Sequence, residues 1–380
     1  MMSLKPNWKG SLYYLISFLC AGAYNPFIFV YLSELGLTGQ QVGLLASLAP
    51  VMTMLLATPL SSLADRNQWR VRLLQASMIG SALIVFLLQF PTVFNEIAVL
   101  MLFSAILSSP TMSIADSLIA RMAQRNKLNY GGMRLWGSLG FALSALAFGA
   151  IWQVFGFKPM FVVGSLLYLP LIFISGKLEE GPVTVKNERK PVSHLFQDRG
   201  IVLLLVATFL SGVANSLSMT FGGIYARFLG GGDLLIGMMI AFGAFAELPM
   251  MFFSDRISKR LHNANTVIIA YGLMTLAYVG YILVPTAEAL PYFSILKGLG
   301  YGLWFTGNVR LVTERTPPEW ASTAQSLLGV ATFGLAPLVA GPLGGLIHDT
   351  ISPAAVFGLA IVSLVLAALV LWIAARAKLL

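Results

Sequence analysis

Long apolar runs alternate with short polar breaks along the whole chain. A helix needs about 20 mostly apolar residues to cross the hydrocarbon core of a bilayer. Twelve runs approach or exceed that length: residues 11–33, 41–64, 73–90, 96–120, 132–155, 159–176, 200–226, 234–254, 264–284, 289–313, 320–347 and 353–376. They predict an all-α membrane protein with twelve transmembrane helices. Most breaks are a few residues long, and the one long polar insert is 177–199. This divides the chain into an N-terminal six-helix bundle (1–176), a cytoplasmic linker (177–199) and a C-terminal six-helix bundle (200–380). The first run is long enough to span and is followed by no small-residue cleavage signature, so it reads as a retained helix.

The basic residues give the spans an orientation. Lys and Arg concentrate in cytoplasmic loops. Of the 24 present, Arg134 and Lys297 fall within helices, and only Lys158 and Arg227 fall on the side opposite the N-terminus. The other 20 share one side. Both termini are therefore expected in the cytoplasm, and the protein is expected in the cell membrane (inner or plasma) as a multi-pass chain.

The two halves also repeat. Ser-Leu-Ala-Asp65-Arg66 follows the second run and Phe-Phe-Ser-Asp255-Arg256 follows the eighth, with basic residues after each. A duplicated helical unit is a transporter signature, because two bundles that rock about a central site give alternating access. An Asp at these positions can bond backbone donors and Arg near the cytoplasmic helix ends, so Asp65, Arg66, Asp255 and Arg256 are candidates for a conformational switch. The plainer reading is a topogenic basic loop with an incidental acid.

Composition removes other classes. The chain is 57% hydrophobic and 10% charged, against about 25% charged in soluble domains, and its mean hydropathy is +0.82. A soluble enzyme, a disordered tail and a nucleic-acid binder are excluded, and the net charge of +9 is accounted for by the loops. One cysteine, Cys20, and three scattered histidines offer no disulfide framework and no local metal cluster. No GxxxxGK[ST] phosphate loop is present, so the chain is not a self-contained ATP-driven pump. No Ser-His-Asp or HExxH arrangement is visible, so no enzyme activity is expected. No cofactor is implied, and a proton gradient is the expected energy source.

Ionisable residues inside the hydrocarbon are expensive and are functional candidates by default. Asp116, Arg134, Glu247 and Lys297 qualify. Asp116 and Arg134 lie 18 residues apart on consecutive helices and can meet as a clamp, the Arg supplying a planar donor fork and the Asp accepting from hydroxyls or amines. A structural ion pair is the plainer reading. Glu247 lies about thirteen residues into its helix, near the midplane at ~1.5 Å per residue, and is a candidate proton carrier. A Glu neutralised permanently by Lys297 is the alternative. Lys297, Tyr301, Trp304 and Asn308 follow steps of 4, 3 and 4 and share one helix face. That face either lines a cavity that stacks a ring or packs helix on helix. Tyr24 and Asn25 in the first helix, with Ser211, Asn215 and Ser218 in the seventh, are weaker polar candidates.

Three stretches carry a family resemblance. Ser61-x-Leu63-Ala64-Asp65-Arg66 resembles the loop 2–3 signature of the major facilitator superfamily, with Ser61 and Gln68 standing where that signature has Gly. Gly22-Ala23-Tyr24-Asn25-Pro26-Phe27 and Tyr130-Gly131-Gly132-Met133-Arg134-Leu135-Trp136-Gly137-Ser138 are similar to helices 1 and 5 of the lactose permease and phenylpropionate permease branch. That branch has a carboxylate and an arginine at the spacing of Asp116 and Arg134, and in lactose permease they hold the sugar. Phe141 stands where its sugar carriers have a stacking tryptophan. The branch's sugar carriers have a His and a Glu in helix 10. This chain has Lys297 near the first and no Glu after it, in Leu296-Lys297-Gly298-Leu299-Gly300, so their selectivity does not carry over.

The resemblance and the residues together imply a twelve-helix, monomeric secondary transporter. Its expected activity is proton-coupled symport of a sugar, a nucleoside or an aromatic acid. Proton-antiport efflux is the alternative; its exporters often carry a Gly-Pro element in helix 5, and here Gly341-Pro342 lies in helix 11. A non-transporting membrane receptor or sensor is the alternative from another class. The partners expected are a small-molecule substrate, protons and the lipid bilayer, with no nucleic acid.

Overall fold

An apolar run in lipid has no water to satisfy its backbone, so it closes its hydrogen bonds within itself as a helix. In the computed structural model, which describes residues 6–179, 193–284, 286–317, 320–377 and 379, nearly every such run does so. The first half holds α1 (Pro6–Glu34), α2 (Gly39–Asn67), α3 (Arg70–Leu87), α4 (Phe94–Ser108), α5 (Thr111–Arg125), α6 (Tyr130–Phe155) and α7 (Lys158–Ser175). A short α8 (Ser193–Gln197) precedes the second half. There follow α9 (Arg199–Phe228), α10 (Asp233–Leu261), α11 (Asn263–Leu283), α12 (Leu290–Arg315), α13 (Ala321–Val330), α14 (Ala336–Thr350) and α15 (Ala355–Arg376).

Among the described residues, 11 helices are long and apolar enough to cross a membrane. Two expected spans are interrupted. The fourth breaks at Ser109-Pro110 into α4 and α5, since proline lacks the N–H that would continue the ladder. The eleventh widens into a π-helical turn at Ala331–Leu335 between α13 and α14. The expected span not among the 11 is α12. It is 26 residues long, but Lys297 and its many Gly, Tyr, Trp, Thr and Asn residues hold its hydropathy down.

The chain forms two compact units, residues 1–37 with 48–186 and residues 38–47 with 187–380. The boundary between them, at 186/187, lies outside the described residues. Residues 38–47, the start of α2, group with the second unit. Backbone contact explains this, because Gly43 lies against Gly341 and Gly39 against Gly345. Asp349 accepts from the N–H groups of Gly39 (2.7 Å) and Gln40 (2.9 Å), satisfying donors that the first turn of a helix leaves free.

In the first unit, α1 packs chiefly on α6. Small residues allow the approach. Gly140 faces the Leu15 carbonyl, Gly137 faces Phe18, and Gly22 sits against Ser144, whose hydroxyl donates to the Leu19 carbonyl at 2.6 Å. The Trp152 indole donates to the Ala23 carbonyl at 3.0 Å. Asn129 caps α6 by accepting from Gly132 N at 3.0 Å. In the second unit, α10 crosses α12 where Gly243 meets Gly298 and the Glu247 backbone meets Gly302. Asp198 caps α9 through Gly200 and Ile201 and also accepts from Arg315 Nε at 3.1 Å.

Candidate functional site

The close α1–α6 packing sets Tyr14 beside the start of α6. There the structure brings Asp116 of α5 together with Arg134 of α6. Arg134 Nη1 donates to Asp116 Oδ1 at 2.8 Å, and the two side chains are 44% and 32% exposed. Tyr14, whose whole residue is buried, donates its hydroxyl to the same Oδ1 at 2.5 Å. The Tyr14 and Tyr130 hydroxyls are 3.1 Å apart. The Tyr14 ring lies under the guanidinium, with Arg134 Cζ 5.6 Å from the ring centroid, a cation–π distance. Two hydroxyls, one carboxylate and one guanidinium from three helices thus form one network. Its charges cancel, and it can both donate to and accept from a polar ligand.

The other first-unit candidates lie apart from this network. Phe141 is seven residues beyond Arg134, two turns along the same face of α6, and is half-buried. Tyr24 is half-buried, with its ring edge-on to Phe161 at 6.2 Å. Asn25 is exposed.

In the second unit Lys297 is buried, 8% exposed, and its Nζ lies 3.4 Å from Ser218 Oγ of α9. Glu247, across the glycine crossing on α10, is half-buried. No direct Glu247–Lys297 ion pair occurs among the described residues. The expected stripe on α12 divides. The buried Trp304 donates its indole N–H to Ser211 Oγ at 3.0 Å, and the buried Asn308 faces Thr208 at 3.5 Å, so both tie α12 to α9. Tyr301 is half-buried, with its ring 5.1 Å from that of Trp304 and stacked on Phe305 at 6.4 Å. Asn215 Oδ1, between Ser211 and Ser218 on α9, is buried without a hydrogen-bond partner among the described residues.

At the end of α2, Asp65 meets Arg70 Nε at 2.7 Å and Arg121 Nη2 at 3.8 Å. Its partners are therefore the buried Arg70 and a residue of α5, while the adjacent Arg66 is exposed. In the second half, the Asp255 side chain lies outside the described residues. Arg256 stands 5.8 Å from the Phe253 ring centroid. Arg310 of α12 donates to the Ser254 carbonyl (2.8 Å), Ser254 Oγ (2.7 Å) and Ser258 Oγ (2.6 Å). Arg310 stands 189 residues after Arg121, so an arginine from the tenth expected helix serves the end of the eighth as Arg121 serves the end of the second.

Sequence reasoning missed Tyr14 as a site residue. It lies ten residues before Tyr24, in a run that reads only as apolar, and its position beside Asp116 depends on glycines of another helix. Tyr130 was visible only as the first residue of the helix 5 stretch.

Similarity to known proteins places the chain. A family model described as the MFS_1 like family matches residues 7–359. The maltose permease of Geobacillus stearothermophilus is 28% identical over 88% of this chain and 86% of its own length. The uncharacterized transporter YwbF of Bacillus subtilis is 27% identical over 91% and 87%. Among solved structures, the nucleoside transporter NupG superposes with a TM-score of 0.82 at 14% identity, covering 97% of this chain and 98% of that one. The expected fold and superfamily are borne out: the chain belongs to the MFS_1 like family and is a multi-pass membrane transporter of the major facilitator type, not an enzyme.

Proposed function

We propose that this transporter takes up a small, neutral, polyhydroxylated solute, a sugar first of all, in symport with protons by alternating access. The observation that carries the reading is the Asp116–Arg134 pair at 2.8 Å with Tyr14 and Tyr130 beside it. The pair has no net charge to attract an anion, yet it offers guanidinium donors and a carboxylate acceptor. That chemistry suits vicinal hydroxyls better than the carboxylate of an aromatic acid. The maltose permease relative supports the sugar class. Phe141, two turns along α6, supplies a ring for stacking, with Tyr24 and Asn25 further along α1. In the second unit, the orphaned Asn215 Oδ1, the half-buried Tyr301 and Lys297 are further candidates for polar contact. Trp304 and Asn308 serve by holding α12 to α9.

Glu247 carries the coupled proton, with Lys297 as its electrostatic partner. Asp65, Arg66, Asp255 and Arg256 act on the balance between conformations, Asp65 through its bonds to Arg70 and Arg121. The chain works as a monomer with both termini in the cytoplasm.

The test is uptake into proteoliposomes of labelled maltose, uridine and phenylpropionate under an imposed inward proton gradient. Accumulation of a neutral solute is expected, collapsed by a protonophore and reduced at least about tenfold by Asp116→Asn. Accumulation of phenylpropionate alone would overturn the substrate class. Undiminished accumulation with protonophore would overturn the coupling. Wild-type uptake by Asp116→Asn would reduce the pair to a structural one.

A further inference from the structure

The geometry points to a positioning residue for the substrate clamp. Tyr14 acts as a wedge that keeps the Asp116–Arg134 pair open to ligand. The inference rests on the reading of that pair as the binding site. An arginine and a carboxylate left to themselves prefer two parallel N–H···O bonds, a closed fork that satisfies both oxygens and two nitrogens. Here the pair makes one bond, Arg134 Nη1 to Asp116 Oδ1. The Tyr14 hydroxyl occupies the same oxygen at 2.5 Å. Oδ1 therefore receives two donors, while no hydrogen bond from a described residue reaches Oδ2, and Arg134 has no second bond to the carboxylate.

Tyr14 is well placed to hold this arrangement. The residue is 0% exposed and its ring is fixed edge-on against Tyr13 (6.0 Å) and Tyr130 (6.3 Å). The face of that ring supports the guanidinium at 5.6 Å. A hydroxyl on so rigid a ring sets the rotation of the carboxylate. Its removal frees the carboxylate to turn and close the fork on Arg134. The closed pair would then hold the two groups a ligand needs, and substrate would have to break it. The Tyr130 hydroxyl touches that of Tyr14 at 3.1 Å and does not itself bond Asp116, so it steadies the wedge without being part of it.

The experiment compares purified wild type with Tyr14→Phe, which keeps the buried ring and loses only the hydroxyl. One arm needs no substrate: the rate at which phenylglyoxal, an arginine reagent, modifies Arg134, read by mass spectrometry of that peptide. Arg134 is exposed enough for the reagent. A closed fork protects it, so Tyr14→Phe should slow the modification, while Asp116→Asn should hasten it. In the Asp116→Asn background the Tyr14→Phe change should have no effect. An unchanged or faster rate in Tyr14→Phe overturns the wedge. Tyr130→Phe keeps the Tyr14 bond and should keep the wild-type rate, and slowing equal to that of Tyr14→Phe overturns the assignment to Tyr14. The second arm is transport of the solute that wild type accumulates among maltose, uridine and phenylpropionate. Tyr14→Phe should raise KM about tenfold with kcat little changed. A fall in kcat at constant KM overturns the positioning role. If wild type accumulates none of the three, the functional reading fails while the modification arm still decides the wedge.

Discussion

Replacing Gly298 by alanine adds one methyl group where two helices have no room for it. A Cβ at this position would run into the Gly243 carbonyl oxygen of α10 and stand 2.8 and 2.9 Å from that residue's carbonyl carbon and Cα. Ordinary contact begins near 3.4 Å, and the atoms in the way are backbone, so no side-chain rotation relieves the clash. The helices must move apart by a good part of an ångström. Overpacking of this kind costs about 1–3 kcal/mol. The helix-propensity gain of Ala over Gly, about 0.5–1 kcal/mol, offsets only part of it. The displacement falls between Glu247 and Lys297, since Lys297 adjoins Gly298 and Glu247 lies one turn beyond Gly243. The control is Gly272→Ala on α11, where a Cβ meets nothing within 4 Å. It should be neutral or slightly stabilising. Thermal unfolding of both variants in detergent, beside proton-driven uptake, reads the two effects. A Gly298→Ala protein as stable as Gly272→Ala would refute the claim that the crossing sets the spacing of α10 and α12.

Arg134→Lys should lose at least about tenfold in uptake while Asp116 stays paired, because a point charge cannot present a planar fork; full activity in the same transport assay would count against recognition by the guanidinium. Glu247→Gln mimics a permanently protonated carboxyl, so it should still exchange labelled for unlabelled solute but fail to accumulate it against a gradient. Counterflow beside pH-driven uptake separates these, and wild-type accumulation would remove Glu247 as the coupling group. A reporter fused after Leu380 should be active in the cytoplasm, and activity on the far side would reverse the orientation drawn from the basic residues.

The spans were legible because a membrane demands so much of a sequence. Each apolar run had to become a helix, and polar breaks such as Asn126–Asn129 or Gly230–Gly232 had to be turns. The caps Asn129 and Asp198 stand just before α6 and α9, but only the structure identifies them. Interruptions inside a run were not legible. Pro26, Pro50 and Pro249 lie within continuous helices, whereas Pro110 ends one. Neighbouring helices decide which outcome follows. Within the site, the Asp116–Arg134 spacing could be seen because two charges in an apolar background are conspicuous. The stripe from Lys297 to Asn308 was seen as one face, but the identity of its neighbour was not. Ser211 accepts from Trp304 across 93 residues and Thr208 donates to Asn308 across 100, and nothing local to α12 encodes that. Tyr14 was hidden because an aromatic in an apolar run has no contrast.

The π-helical turn at Ala331–Leu335 bears on the length of the chain itself. Ala324, Leu328, Thr332, Ala336, Ala340 and Gly344 are all buried and recur every fourth residue. At 3.6 residues per turn, each four-residue step overshoots by about 40°, so such a row drifts steadily off its partner. One wide turn takes up a surplus residue and brings the row back. From the turn onward the row faces α9, Thr332 and Ala336 against Gly212 and Gly344 against Leu217 and Phe221. A relative one residue shorter in this turn can keep both faces with an unbroken α-helix. One residue lost elsewhere in the span would rotate everything beyond it by about 100°, turning the exposed Leu343 or Leu346 toward a surface built for glycine. The turn therefore holds one surplus residue while the buried row stays on α9.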